Sequence, residues 1–107
     1  MKKSIQTTNS FHSTFTIVNE KFLNDVDLVA KFAKAICKSF DYKIVKDMYH
    51  KFDPIGITYV AILSESHIAI HTWPEKNELN VDITTCRNIA HDEYRRVIEN
   101  LIKELQL

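Results

Sequence analysis

The sequence predicts an α+β fold, a two-layer sandwich of one antiparallel sheet with two helices on one face. Three observations carry this expectation. Four β-prone runs follow one another in hairpin succession from Tyr42 to Cys86. Two segments, one before those runs and one after, repeat apolar residues at helical spacing. A further β-prone run precedes the first helical segment, so the order is β-α-β-β-β-β-α with helices set apart from the hairpins. At 107 residues, with no linker or repeat, residues 1–107 read as a single domain.

Each element has a local reason. Phe11 to Val18 carries Phe11, Phe15 and Ile17 among hydroxyl residues, the mixed alternation of a strand. Asn24 or Asp25 is placed to cap a helix beginning near Val26. In it Leu28, Val29, Phe32, Ala35, Ile36 and Phe40 form an apolar stripe, and Lys31, Lys34 and Lys38 face solvent. Cys37 beside that stripe reads as a packing residue. Asp41-Tyr42 ends the helix, and Tyr42 to Phe52 alternates as a strand. Asp53-Pro54-Ile55-Gly56 is a turn, because Pro presets φ and Gly tolerates positive φ. Ile57 to Leu63 is a nearly continuous β-prone run, a central strand. Ser64-Glu65 interrupts it, His67 to Thr72 resumes it, and Pro74 ends that piece for want of an N–H. After a polar turn at Glu75–Glu78, Leu79 to Cys86 is the last strand. Asp92 is placed to cap a final helix with Tyr94, Val97, Ile98, Leu101, Ile102 and Leu105 on one face. The middle strands look apolar on both sides, so a second copy of the chain, a homodimer, is expected to cover the open face of the sheet.

Composition excludes several function classes. There are 14 basic and 14 acidic residues and no long single-sign block, which argues against nucleic acid or an anionic membrane surface as partner. No apolar run approaches the ~20 residues of a bilayer span. Met1 to Ser10 has basic residues without an apolar run behind them, and reads as a frayed lead-in, not a signal peptide. Two cysteines without metal-type spacing point to a reducing cytoplasm. A single glycine, Gly56, rules out a Gly-rich phosphate loop.

The residues that suggest chemistry crowd into Leu63 to Glu75 and the strand after it. Ser66, His67, His71, the only Trp (Trp73) and then Cys86 lie on adjacent runs. Positions four apart on a strand are ~13 Å apart, so His67 and His71 do not share a metal ion readily, and no metal is expected. Ser66 lacks the strand-to-helix elbow of a hydrolase, with Asp82 only a loose orienter. Spacing alone leaves Ser66 open between nucleophile and surface serine, and Cys86 between reactive and packed thiol.

Ser64-Glu-Ser-His67, His71-Thr-Trp-Pro-Glu75 and Val81-Asp-Ile-Thr-Thr-Cys86, in that order and spacing, resemble the small prokaryotic S-adenosylmethionine decarboxylases, pyruvoyl-dependent enzymes of polyamine (spermidine) synthesis. His50 to Thr58 also looks like the family's stretch before its cleavage site. The resemblance implies a proenzyme that cuts itself between Glu65 and Ser66, leaving Ser66 as a covalent pyruvoyl group that forms a Schiff base with the substrate amine. It implies that His71 assists processing by removing a proton, that Thr58 stands where the family usually has a serine helper, and that Cys86 reprotonates the α-carbon. Phe52 matches an adenine-stacking aromatic and Glu75 a ribose-binding carboxylate. The site is implied to lie near a dimer interface. The pattern departs at Arg87, where the family usually has glycine, and at Lys76–Asn80, where it has a Gly- and Ala-rich turn. The N-terminal glycine-containing segment is not recognisable, and relatives commonly continue past the position of Leu107 into another strand. Decarboxylation of arginine or ornithine on the same fold, or a non-catalytic regulatory homologue, are the alternatives.

Overall fold

The computed structural model describes residues 8–107. It contains β1 (Asn9–Thr16), α1 (Val26–Ser39), β2 (Ile44–Lys51), β3 (Ile57–Leu63), β4 (His67–Trp73), β5 (Glu78–Thr85) and α2 (His91–Glu104). The strands form one antiparallel sheet in the order β1-β5-β4-β3-β2. Helix α1 packs over β2, β3 and β4, α2 packs over β1, and the two helices touch each other on that same face. The expected α+β sandwich and element order are both present. Strand ends fall within two residues of expectation, and β3 has the expected bounds. β1 begins two residues before Phe11 and stops at Thr16, because its partner β5 runs out at Glu78 opposite Thr16. The expected lead-in, Met1 to Ser10, lies outside the described residues over 1–7, and Asn9 and Ser10 already belong to β1.

Capping follows the chemistry of each start. Asp25 caps α1, its side chain accepting the Leu28 N–H at 3.1 Å. Asn24, the rival cap, accepts the Gly56 N–H at 3.1 Å instead and so ties the β2–β3 loop to the foot of α1. Gly56 has φ +110°, a backbone region that glycine enters without strain. Helix α2 differs from expectation. Asp92 is not its cap: Ala90 holds that position and its carbonyl accepts the Glu93 and Tyr94 N–H groups. Asp92 and Glu93 sit in the first turn, where negative charge meets the positive end of the helix dipole. Leu105 also falls outside the buried face, since it follows the last helical residue and is largely exposed.

The core lies between helices and sheet. Val29, Phe32, Ala33, Ile36 and Cys37 of α1 and Tyr94 and Ile98 of α2 bury against Ile57, Tyr59, Ala61, Ile68, Ile70, Leu79, Val81 and Ile83. Ala35 of the expected stripe is only half-buried, and Ala33 takes its place. Phe32 stands edge-on to Phe22 with ring centroids 5.6 Å apart, so truncating it to alanine costs about 3–5 kcal/mol. Burial pushes the Cys37 thiol up to about 11, which keeps it protonated and inert.

The other face of the sheet carries Thr58 and His71 among the candidate site residues. The register places its residues in rows: Met48, Val60, Ala69, Asp82 and His12 in one, and His50, Thr58, His71, Asn80 and Thr14 in the next. This face is therefore mixed and not apolar throughout. Its apolar part is a strip centred on β3, where Met48 and Ile62 are largely exposed and Val60 and Ala69 half-buried.

Candidate active site

Strands β3 and β4 join through Ser64-Glu65, a turn that the Leu63 N–H closes on the Ser66 carbonyl at 2.8 Å. The Ser64 N–H donates to the Lys43 carbonyl at 3.1 Å and holds the turn against the start of β2. Ser66 is half-buried at the mouth of β4. Because His67 pairs with Thr84 across β4 and β5, the end of β5 lies beside that turn. Cys86, one residue past β5, donates its S–H to Glu65 Oε2 at 3.3 Å. Ser66, Glu65 and Cys86 thus share a cavity of about 170 Å³, walled also by Tyr42, Lys43 and Arg87. The hydrogen bond to Glu65 is the main force holding the Cys86 thiol above its ordinary range. Desolvation adds to it, and the Arg87 charge pulls weakly the other way. Among the described residues the non-glycine positions with positive φ are Asp41, Asn77 and Gln106, so the Ser64-Glu65-Ser66 turn carries no left-handed strain.

Arg87 is the residue that sequence reasoning passed over, noting it only as a lost glycine. Its guanidinium donates to the carbonyls of Phe40 and Asp41, at 3.0 Å in the latter case, and lies 4.5 Å from the Tyr42 ring. A cation there satisfies carbonyls left over at the end of α1 and meets the negative end of its dipole. The partners are more than forty positions away, so no local pattern announces the contact.

The second cluster lies at the far end of β4. Thr58 and His71 are directly opposite in the β3–β4 register, and Thr58 Oγ1 is 2.6 Å from His71 Nδ1. Phe52 and Trp73 flank the His71 ring with centroids 5.7 and 4.3 Å away. Trp73 is held in turn, its Nε1–H donating to Asn80 Oδ1 at 2.7 Å. A cleft of about 350 Å³ opens here, lined by Phe52, Ile55, Gly56, His71, Trp73 and Glu75. The buried Thr72 hydroxyl braces its floor, accepting the Ile57 N–H and donating to the Leu23 carbonyl.

The expected site residues therefore fall into two half-sites. Ser66, Glu65 and Cys86 meet at one end of β4, and Thr58, His71, Phe52 and Glu75 meet at the other. Ser66 and His71 are five positions apart on an extended chain, about 16 Å at the rise of a strand. Within this chain the two ends do not touch. Among the described residues, no three His, Cys, Asp or Glu side chains gather closely enough to hold a metal ion.

Known proteins share this architecture. Residues 13–107 match the family model described as S-adenosylmethionine decarboxylase. A Clostridium botulinum (strain Langeland) S-adenosylmethionine decarboxylase proenzyme is 42% identical over 84 residues, covering 75% of this chain and 71% of that one. The Pseudomonas aeruginosa (strain LESB58) proenzyme of the same name is 36% identical over 75 residues, 70% of this chain and 46% of that one. The crystal structure of the Aquifex aeolicus adenosylmethionine decarboxylase superposes with a TM-score of 0.74 at 25% identity, over 92% of this chain and 80% of that one. With the family match running across both half-sites, the chain belongs to the S-adenosylmethionine decarboxylase family.

Proposed function

We propose that this chain is a self-processing, pyruvoyl-dependent decarboxylase of S-adenosylmethionine, cut between Glu65 and Ser66 into residues 1–65 and 66–107. The observation that carries the reading is the place of Ser66, directly after a tight hairpin turn and in one cavity with the Cys86 thiol. In the first reaction the Ser66 hydroxyl adds to the Glu65 carbonyl and the C–N bond breaks, so the amide becomes an ester and the freed amine takes the hydroxyl proton. A base then removes the Ser66 α-proton, Glu65 leaves as a carboxylate with the C–O electron pair, and dehydroalanine remains. Water adds, ammonia leaves, and the new chain end carries a keto group. His71 suits the base: in the tautomer whose Nδ1–H donates to Thr58 Oγ1, Nε2 keeps a free lone pair.

Position 66 fits a pyruvoyl group, being half-buried on the wall of an open polar cavity that an amine can enter. Such a group supplies the electron sink for decarboxylation. Cys86 supplies the proton that replaces carbon dioxide on the α-carbon, and its raised pKa keeps that proton in place. The aromatic cleft suits a nucleoside: Phe52 and Trp73 offer ring faces to an adenine, and Glu75 offers acceptors to a ribose diol.

The two half-sites are about 16 Å apart by the strand rise, so the reading includes a homodimer. A two-fold axis lying between two outer faces and across the strands sets the Ser66 end of one protomer over the His71 end of its partner. The exposed Met48 and Ile62, with Val60 and Ala69, form the apolar centre such a contact needs. A cytoplasmic location belongs to the same reading and suits the free, half-exposed Cys86. Intact mass spectrometry of denatured protein tests it. Two fragments are expected, residues 1–65 and a hydroxylamine-reactive 66–107, while Ser66→Ala stays whole and inactive. A wild-type chain that remains uncut, or an active Ser66→Ala protein, overturns it.

A further inference from the structure

In the reading above Glu65 is only the residue whose carbonyl is attacked, and its side chain has no part. Its carboxylate nevertheless turns back into the cavity, where Oε2 accepts the Cys86 S–H at 3.3 Å. We propose that Glu65 is a positioning residue for the proton donor, aiming the Cys86 S–H and holding sulfur in its protonated form. The proposal rests on the decarboxylase reading for its purpose, but the contact stands without it.

The geometry selects Glu65 from the charges around the thiol. Asp41, Lys43, Glu65 and Arg87 are the charged residues lining this cavity, and Tyr42 is its aromatic wall. Arg87 is engaged by the carbonyls of Phe40 and Asp41. Glu65 is the one whose side chain bonds the sulfur. An anionic acceptor on S–H stabilises the thiol and opposes the thiolate, so the sulfur gives up its proton at higher pH than a free cysteine. A donor that must be protonated at the moment carbon dioxide leaves gains from this. Removing the carboxylate reverses the effect: the thiol ionises at lower pH and more of it is spent as thiolate at neutrality.

The test avoids any need for processing. Iodoacetamide alkylation of Cys86 is followed against pH by mass spectrometry in Ser66→Ala and in Ser66→Ala/Glu65→Gln, where the chain stays whole. The expected result is a midpoint lower by about half a pH unit in the Gln variant, with about threefold faster alkylation at pH 8. Glu65→Asp, one methylene shorter but still anionic, should fall between them. Cys37 is buried at 2% exposure and reports folding by staying unlabelled. An unchanged midpoint in a protein whose Cys37 stays protected overturns the proposal. In cleaved enzyme the alkaline limb of kcat should move down by the same interval with KM little changed. An uncut wild-type chain would sink the decarboxylase reading and leave the alkylation result to judge Glu65 by itself.

Discussion

The two ends of β4 hold their functional side chains in different ways. At the Ser66 end they sit on a turn and on the first residue past a strand, half-exposed, with Glu65, Lys43 and Arg87 close by. At the His71 end Thr58 and His71 are locked opposite each other on neighbouring strands and walled by Phe52 and Trp73. The difference matches the tasks proposed for them. A backbone that is to be cut and to release a new chain end needs slack, which a turn provides. An imidazole that must keep one orientation needs a rigid support, which a register-fixed hydroxyl partner provides.

The strongest way to break this comparison is to put the two ends on different chains. His71→Ala alone should abolish self-cleavage as Ser66→Ala does. Mixing the two variants by joint refolding should restore it in part, because each mixed dimer contains one intact pairing of Ser66 with His71. About half of the His71→Ala chains should then be cut, and none of the Ser66→Ala chains. Absence of any cut in a mixture shown to form mixed dimers would mean that the halves do not meet across an interface.

Cys86→Ala separates the tasks at the Ser66 end. The turn, Ser66 and His71 remain, so cleavage should proceed, while decarboxylation should drop by about 10²–10⁴-fold as expected for loss of a positioned acid. Mass spectrometry and release of labelled carbon dioxide from the same sample read the two steps. Equal loss of both would place Cys86 in processing.

Most of this fold was legible because each element obeys a local rule: the helical stripe of α1, the apolar run of β3, and the turns at Pro54-Ile55-Gly56 and Ser64-Glu65. The cap of α2 was not, since Asp92 carries the capping side chain while the helix starts from the extended backbone of Ala90, which has none. The motif residues of both half-sites were legible as a resemblance, but their grouping was not. Ser66, His71 and Cys86 look close in sequence, yet the strand rise alone parts the serine from the histidine, and only the register of β4 and β5 shows that Cys86 lies at the serine's end. Arg87 was illegible for a related reason, its partners lying on α1's end.

Arg87→Gly measures what that clamp adds to the Ser66 end. Two charge-assisted hydrogen bonds from an exposed guanidinium stabilise by about 1–2 kcal/mol in total, so Tm should fall by roughly 5–10 °C. Self-cleavage under conditions where the variant is folded should continue, because the turn at Ser64-Glu65 is held by Leu63 and Lys43 and not by Arg87. A variant that is as stable as the native chain would show that the clamp is surface decoration.

The smallest effects should come from Thr58, and they test whether the His71 end works through orientation. Thr58→Val keeps the β-branched shape that packs in the ladder and removes the oxygen, leaving Nδ1 of His71 without its partner at 2.6 Å. Loss of one such hydrogen bond, worth about 1–1.5 kcal/mol, should slow self-cleavage roughly tenfold. Thr58→Ser keeps the oxygen and frees χ1, so the bond survives in a population of rotamers and the rate should stay within about threefold of the native chain. The sign of that last change discriminates. A faster serine variant means that the threonine methyl hinders the bond, and a slower one means that it holds the hydroxyl toward His71. Val and Ser variants with equal rates would mean that the hydroxyl does not orient the base, and the contrast between a slack end and a rigid end would fail.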